Sequence, residues 1–234
     1  RRGHCGEPRE APLRVQSSGY RLCGVIAGVE SGILLGGGSH RTGRSAMELM
    51  DAIRARRSIR VFDSRPVDRA LIDALIDAAT YAPSRFNIQP WHFHVALGDA
   101  RHRVGEVMAM TTAYLDEYID TLGPEMVEHA ARFYADLGGA PVAIGISAKH
   151  VDDPTEWLDD TIAVGTALQS FLLAAVEHGL AACSLTAPHW IKDRLMEAFE
   201  IPEGSEIMAL IVLGYADEVP QPKDRHTNVV TYLT

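Results

Sequence analysis

Positive charge is scarce in this chain of 234 residues: Lys and Arg number 22 against 31 Asp and Glu, a formal net charge of −9. Outside the arginines at positions 56–60 no basic run could serve as a nucleic-acid footprint, so no nucleic-acid partner is expected. Cysteine is scarcer still. Cys5, Cys23 and Cys183 are too few and too irregular for a disulfide framework or a zinc site, which points to a reducing compartment and a cytoplasmic location. Long hydrophobic runs are missing as well. Beyond residue 46 the longest, Thr161 to Val176, is interrupted by Gln169 and flanked by Asp159, Asp160, Glu177 and His178. It reads as a buried core helix, and no membrane partner is expected. No internal repeat or low-complexity tract follows Met47, and a small-molecule role is favoured.

Residues 1–46 lack Met and Lys, hold 10 of the 20 glycines and carry 7 Arg against 3 Glu. Such a composition does not favour packing. Leu22 to Gly38 could be taken for a signal-peptide core, but Glu30 interrupts it and no small-residue cleavage pattern follows cleanly. The expectation is a disordered leader or upstream extension over 1–46, ahead of one folded domain over 47–234 that is long enough for a sizeable core.

Within that domain the apolar spacing predicts alternating helices and strands. Glu48 to Arg56 is a short amphipathic helix that delivers an arginine cluster at its C-terminal end. Asp68 can cap a second helix, in which Leu71, Ile72, Leu75, Ile76 and Ala79 form one buried stripe, and Pro83 ends it. Trp91, Phe93, Val95 and Leu97 alternate with His92, His94 and Ala96, which predicts a strand with one well-buried face. Residues 101–137 are helical but mixed, broken at Gly123-Pro124. Pro141–Ala148, Leu180–Leu185 and Glu206–Gly214 are further strands. Thr155–His178 is a long helix stopped by Gly179, Pro188–Phe199 another helix, and Tyr215–Thr234 an extended Pro-rich tail. Strands alternating with helices imply a layered α/β or α+β domain.

Two segments carry chemistry. Arg56-Arg57-Ser58-Ile59-Arg60 packs guanidinium forks around a hydroxyl, which suits phosphate oxygens; basic residues at a helix end could equally sit over its last carbonyls. Asn87 and Gln89 flank Ile88 and, in an extended segment, would face the same way. Two such amides suit the carbonyls and ring nitrogens of a flat heterocycle, or belong to a polar turn after a helix. Lys223 and Arg225, beside Pro220 and Pro222, form a second basic pair.

These residues resemble the FMN-dependent nitroreductase family from about Met47 to the C-terminus. The likeness rests on four blocks in order: Arg56-Arg57-Ser58-Ile59-Arg60; Ala82-Pro83-Ser84 with Asn87-Ile88-Gln89-Pro90-Trp91; Gly179-Leu180-Ala181-Ala182-Cys183-Ser184-Leu185-Thr186; and Leu213-Gly214-Tyr215 followed by Lys223 and Arg225. Arg85-Phe86 depart from it, where many members carry small residues. The resemblance implies a nitroreductase-like three-layer α/β/α fold of the α+β class, with a central, mainly antiparallel sheet in an intertwined homodimer whose C-terminal tails are swapped. It implies that Arg56, Arg57, Ser58 and Arg60 bind the FMN phosphate and ribityl chain, with Lys223 and Arg225 closing over the phosphate. Pro83, Ser84, Asn87 and Gln89 would reach the ring from the second subunit, and the backbone of Leu185, Thr186 and Ala187 would approach its reactive side.

The activity so implied is hydride transfer from NADH or NADPH through the flavin to a nitroaromatic, quinone or similar conjugated acceptor, by a ping-pong cycle without a catalytic side chain. Other members of the fold dehalogenate iodotyrosines or fragment their own flavin, and a non-catalytic FMN-sequestering or sensing protein is the alternative from another class. Residues 101–140 fall where the family places a variable lid. There Tyr114, Tyr118 and Tyr134 could stack on an aromatic substrate or pack the lid. Cys183 reads as core packing, and His92 with His94 lacks a third metal ligand.

Overall fold

The computed structural model describes residues 47–186 and 189–233, so the expected leader at 1–46 and Ala187 lie outside the described residues. Helix α1 (Leu49–Ala55) leads to α2 (Arg69–Thr80), which starts where the Asp68 carboxylate accepts the Ala70 N–H at 3.0 Å. Ile72, Leu75 and Ala79 are buried along α2, with Leu71 and Ile76 packed beside them as the spacing predicts. Strand β1 (Trp91–Leu97) runs into α3 (Gly98–Ala109), a 3₁₀ stretch (Met110–Tyr118), α4 (Ile119–Leu122) and α5 (Pro124–Asp136). Then come β2 (Val142–Lys149), α6 (Pro154–Glu177), β3 (Ala181–Leu185), α7 (Lys192–Ala198) and β4 (Ser205–Gly214). The long α6 opens on Asp153, whose carboxylate accepts from Thr155 and Glu156 N–H at 2.9 and 3.0 Å, and closes at Gly179 with φ +71°.

The strands form one sheet, ordered β1-β2-β4-β3, antiparallel throughout. Both faces are covered, which is why β2 and β4, in the centre, are nearly continuous runs of Ile, Val, Leu and Ala. On one face Ile144, Ile146, Ile211 and Leu213 pack with Leu75, Ala167 and Phe171 of α2 and α6. On the other, Leu210 and Val212 meet Val104, Met108, Phe133 and Leu195 of α3, α5 and α7. Each large side chain buried in this way contributes about 1.5–3 kcal/mol. The three-layer α+β architecture with an antiparallel sheet is therefore as expected. Among the described residues no helix is long and apolar enough to cross a membrane.

One local expectation fails. Strand β1 buries Trp91 and half-buries Phe93, but Val95 and Leu97 are exposed while Ala96, on the opposite register, is buried. Among the described residues β1 is an edge strand, paired with β2; α3, which follows it directly, closes over the Ala96 side. Within the span 101–140, Val104, Met108, Phe133 and Leu137 belong to the core.

The connection from α1 to α2 extends the sheet edge. Ser58 bridges Ala182 of β3 in parallel, and Phe62 bridges Ala216 beyond β4 in antiparallel. Gly138 (φ +64°) accepts the Phe62 N–H at 2.9 Å and lets the chain pass so close that a Cβ there would lie 2.0 Å from the Arg60 carbonyl oxygen.

Candidate functional site

At this sheet edge Arg56, Arg57, Ser58 and Arg60 line a cavity of about 220 Å³ together with Pro220, Gln221, Lys223 and Arg225. The two basic blocks, far apart in sequence, meet because β3 fixes the first through Ser58 and Ile59 while the tail turns back beside it from Gly214. Among the described residues none of the cations Arg56, Arg57, Arg60, Lys223 and Arg225 has a carboxylate within 4.0 Å. Such a donor set, its side-chain cations in no ion pair, fits a phosphate. Arg57 lines the cavity, and its Nη1 donates to the carbonyls of Arg54 and Arg56 at 2.6 and 2.8 Å, tying down the end of α1 as a basic residue at a helix end can. Arg60 Nη1 reaches the Ser58 carbonyl at 3.3 Å.

Cys183 and Tyr134 lie beneath the cradle. Burial pushes the Cys183 thiol up from its ordinary value, against the pull of Arg60, the Ser58 hydroxyl and Arg56. Burial likewise raises the Tyr134 phenol, whose ring meets Phe133 edge-on at 5.4 Å. Cys183 is core, as its isolation implied, and Tyr134 is half-buried against the same core.

The segment Pro83–Gln89 is not extended. Arg85–Asn87 forms a single 3₁₀ turn, and Phe86, Asn87 and Gln89 have φ of +50°, +59° and +48°. Local bonding decides this: the Ser84 hydroxyl accepts the Gln89 N–H at 3.0 Å, and Asn tolerates the left-handed region. Pro83, Ser84, Asn87 and Gln89 thus sit on a tight loop whose tip is Phe86, 87% exposed. The departure at Arg85 has a structural role. Its guanidinium pairs with Glu156 at 3.4 Å and Asp159 at 3.2 Å, pinning the loop to the start of α6.

The phosphate-fitting cradle sits at the other end of the same helix. The cavity adjoining it is lined by Leu172 and Val176 together with Arg56 and Arg57. Asp159 and Leu172 are thirteen residues apart on α6, about 20 Å of helix. No residue of 83–89 lines either cavity, so one chain does not bring the loop to its own cradle.

Leu185 ends β3 half-buried and Thr186 follows it exposed. Beyond them Trp190, which the sequence reading passed over, meets Tyr114 with ring centroids 5.2 Å apart. This contact joins the 3₁₀ stretch at 110–118 to the loop after β3. The side chain of Tyr118 lies outside the described residues. His92 and His94 touch edge-on at 4.6 Å, and His94 Nε2 is 2.9 Å from the Ser147 hydroxyl. Among the described residues they belong to no cluster of three metal-ligating groups.

The fold and the cavity describe an α+β domain with a cradle of cationic side chains at one sheet edge. The chain belongs to the nitroreductase family, whose sequence profile matches residues 53–215. It is 27% identical over 197 residues to a 4-nitrobenzoate reductase of Pseudomonas putida, covering 71% of this chain and 84% of that protein. Among solved structures it is similar to a BluB-like flavoprotein from Clostridium difficile, 26% identical with a TM-score of 0.62, over 80% of this chain and 100% of that one. It is also similar in fold to the FMN-dependent nitroreductase NfnB from Mycobacterium smegmatis in complex with NADPH, 21% identical with a TM-score of 0.65, over 80% and 100% of the two chains.

Proposed function

We propose that residues 47–234 form an FMN-dependent oxidoreductase that uses NADH or NADPH to reduce a nitroaromatic, quinone or similar conjugated acceptor, as a homodimer whose two flavin sites each draw on both chains. The observation that carries this reading is the cavity in which Arg56, Ser58 and Arg60 meet Lys223 and Arg225 without a carboxylate partner. These groups would hold the phosphate. When bound, FMN would supply the two-electron chemistry at its N5, accepting hydride from the nicotinamide and passing it to the acceptor.

The protein's own part is positioning. Ser84, Asn87 and Gln89 offer amides and a hydroxyl on a loop stiffened by Arg85, and would meet the ring held by the second chain. Backbone N–H groups around Thr186 would face charge that develops on the ring. The Tyr114–Trp190 pair would form an aromatic wall for a flat acceptor.

Surface chemistry supports the second chain. Leu158 and Ile162 on α6, Leu49, Met50 and Ile53 on α1, and Val229, Val230, Tyr232 and Leu233 in the tail are all exposed. Exposed apolar side chains of this kind suit an interface, and because no residue of 83–89 lines the cradle of its own chain, each flavin site would be incomplete without it.

An absorbance spectrum of the purified protein, followed by anaerobic addition of one equivalent of NADPH or NADH, tests the reading. A yellow protein that bleaches within seconds is the expected result. A yellow protein that stays oxidised with both nucleotides points to a flavin carrier, and a colourless dimer that FMN does not reconstitute refutes the site.

A further inference from the structure

On the reading that the cradle holds FMN, we propose that Glu218 is a positioning residue for its phosphate: its carboxylate pins the tail to the arginine segment and thereby sets Lys223 and Arg225 over the cradle. From Ile59 to Asp63 the backbone donors go to Ala182 O (Ile59, 3.2 Å), Gly138 O (Phe62, 2.9 Å) and Tyr215 O (Asp63, 3.0 Å). Among the described residues the N–H groups of Arg60 and Val61 have no such carbonyl. Both donate instead to Glu218 Oε1, that of Val61 at 3.2 Å.

The tail reaches this point as a short antiparallel ladder. Phe62 bridges Ala216, and the Asp217 N–H donates to the Val61 carbonyl at 3.0 Å. Past Asp217 the ladder stops, and the Glu218 side chain completes it by capping two donors that would otherwise lack protein partners. Pro220 and Pro222 follow, each with φ fixed near −65°, so the path from Glu218 to Lys223 has few conformations and the pin decides where the cations fall. Glu218 also lies outside ion-pair distance of every arginine in the cradle, its charge spent on backbone donors, which leaves the guanidinium forks for the ligand.

A pin of this kind acts on the phosphate and not on the ring. The test is therefore a comparison of FMN with riboflavin, which shares the ring and ribityl chain but has no phosphate. Dissociation constants are measured by flavin fluorescence quenching on the full chain, with wild type, E218A and E218Q. Expected is a rise of about tenfold in the FMN Kd for E218A, with the riboflavin Kd changed less than about twofold. E218Q stays near wild type, because its amide oxygen accepts from the same two N–H groups. Adding K223A to E218A then costs less than K223A alone.

An unchanged ratio of FMN to riboflavin affinity in E218A overturns the proposal, whether both are lost together or neither is. Tighter FMN binding by E218A overturns it too, by showing that the carboxylate competes with the phosphate. Should E218A not fold, E218D, one methylene short of both donors, is judged by the same ratio. A wild-type protein that binds neither flavin refutes the cofactor reading itself, an outcome distinct from the failure of Glu218 alone.

Discussion

Gly138→Ala should be among the most costly single-methyl additions in this protein. Two effects combine. The residue has φ +64°, where an L side chain costs about 1–2 kcal/mol. The new Cβ would also lie 2.0 Å from the Arg60 carbonyl oxygen and 2.8 Å from its carbon, both backbone atoms that no rotamer change can move away. Relief requires displacing residues 60–62, which breaks the 2.9 Å bond from the Phe62 N–H to the Gly138 carbonyl, a further loss of about 1 kcal/mol, and loosens the buried Phe62 ring. The total comes to about 3 kcal/mol or more. Gly98→Ala isolates the first effect, because Gly98 has φ +51° but nothing within 4 Å of its would-be Cβ. In urea unfolding at equal protein concentration, a difference of about 2 kcal/mol between the two variants separates their midpoints by about 1 M, at a slope of roughly 2 kcal/mol per M. Midpoints that coincide would refute the reasoning, since the close approach of Arg60 would then cost nothing. G138A should also weaken FMN binding through Arg60, and G98A should not.

Asp153→Ala removes the acceptor for two N–H groups at the start of α6 and should cost about 1 kcal/mol in chemical denaturation, most of which D153N restores. The Glu206 carboxyl is held below its ordinary pKa chiefly by its hydrogen bond to Lys192, against burial and with help from His150. Its stabilising contribution is thus complete above the unfolded value of about 4.3 and is lost as pH falls through the lower folded value. E206Q should flatten the acid limb of a Tm-against-pH profile; an unchanged limb counts against this pairing. Arg85→Ala leaves the buried Asp160 near Glu156 and Asp159 without its cation. Burial already raises the Asp160 pKa and Arg85 opposes that rise, so the loss in Tm on R85A should shrink as pH is lowered and Asp160 takes up its proton. A loss that stays constant as pH falls would mean that Asp160 does not change its protonation state over the range tested.

Sequence patterning was informative wherever tertiary packing follows local periodicity. The α2 stripe from Leu71 to Ala79 is apolar because it faces β2 and β4, and α6 stops at Gly179 because only a left-handed residue turns the chain into β3. Patterning misled at β1. Alternation marks which side chains share a face, but not that the sheet ends there, with only Ala96 covered along its outer half. In the site, residue types located the arginine cluster and the Lys223–Arg225 pair, since guanidinium and ammonium chemistry is legible without a fold. The 84–89 turn was not, because a hydroxyl-to-backbone bond across five residues overrides the extended geometry that alternating amides suggest. Glu218 left no local trace at all. Its function depends on donors 157 and 158 residues away, a pairing that exists only once the tail lies beside the first basic block.

The length of α6 has a genetic consequence. Because the loop pinned by Arg85 and the cradle beside Leu172 and Val176 stand at opposite ends of one rod, a lesion at either end spoils a different half of each composite site. On the two-chain reading, an allele damaged only at Arg56 and one damaged only at Asn87 would rescue each other when co-expressed. Mixed dimers would contain one doubly broken site and one wholly intact site, a recovery of function that neither homodimer shows and that two defects within one end cannot produce.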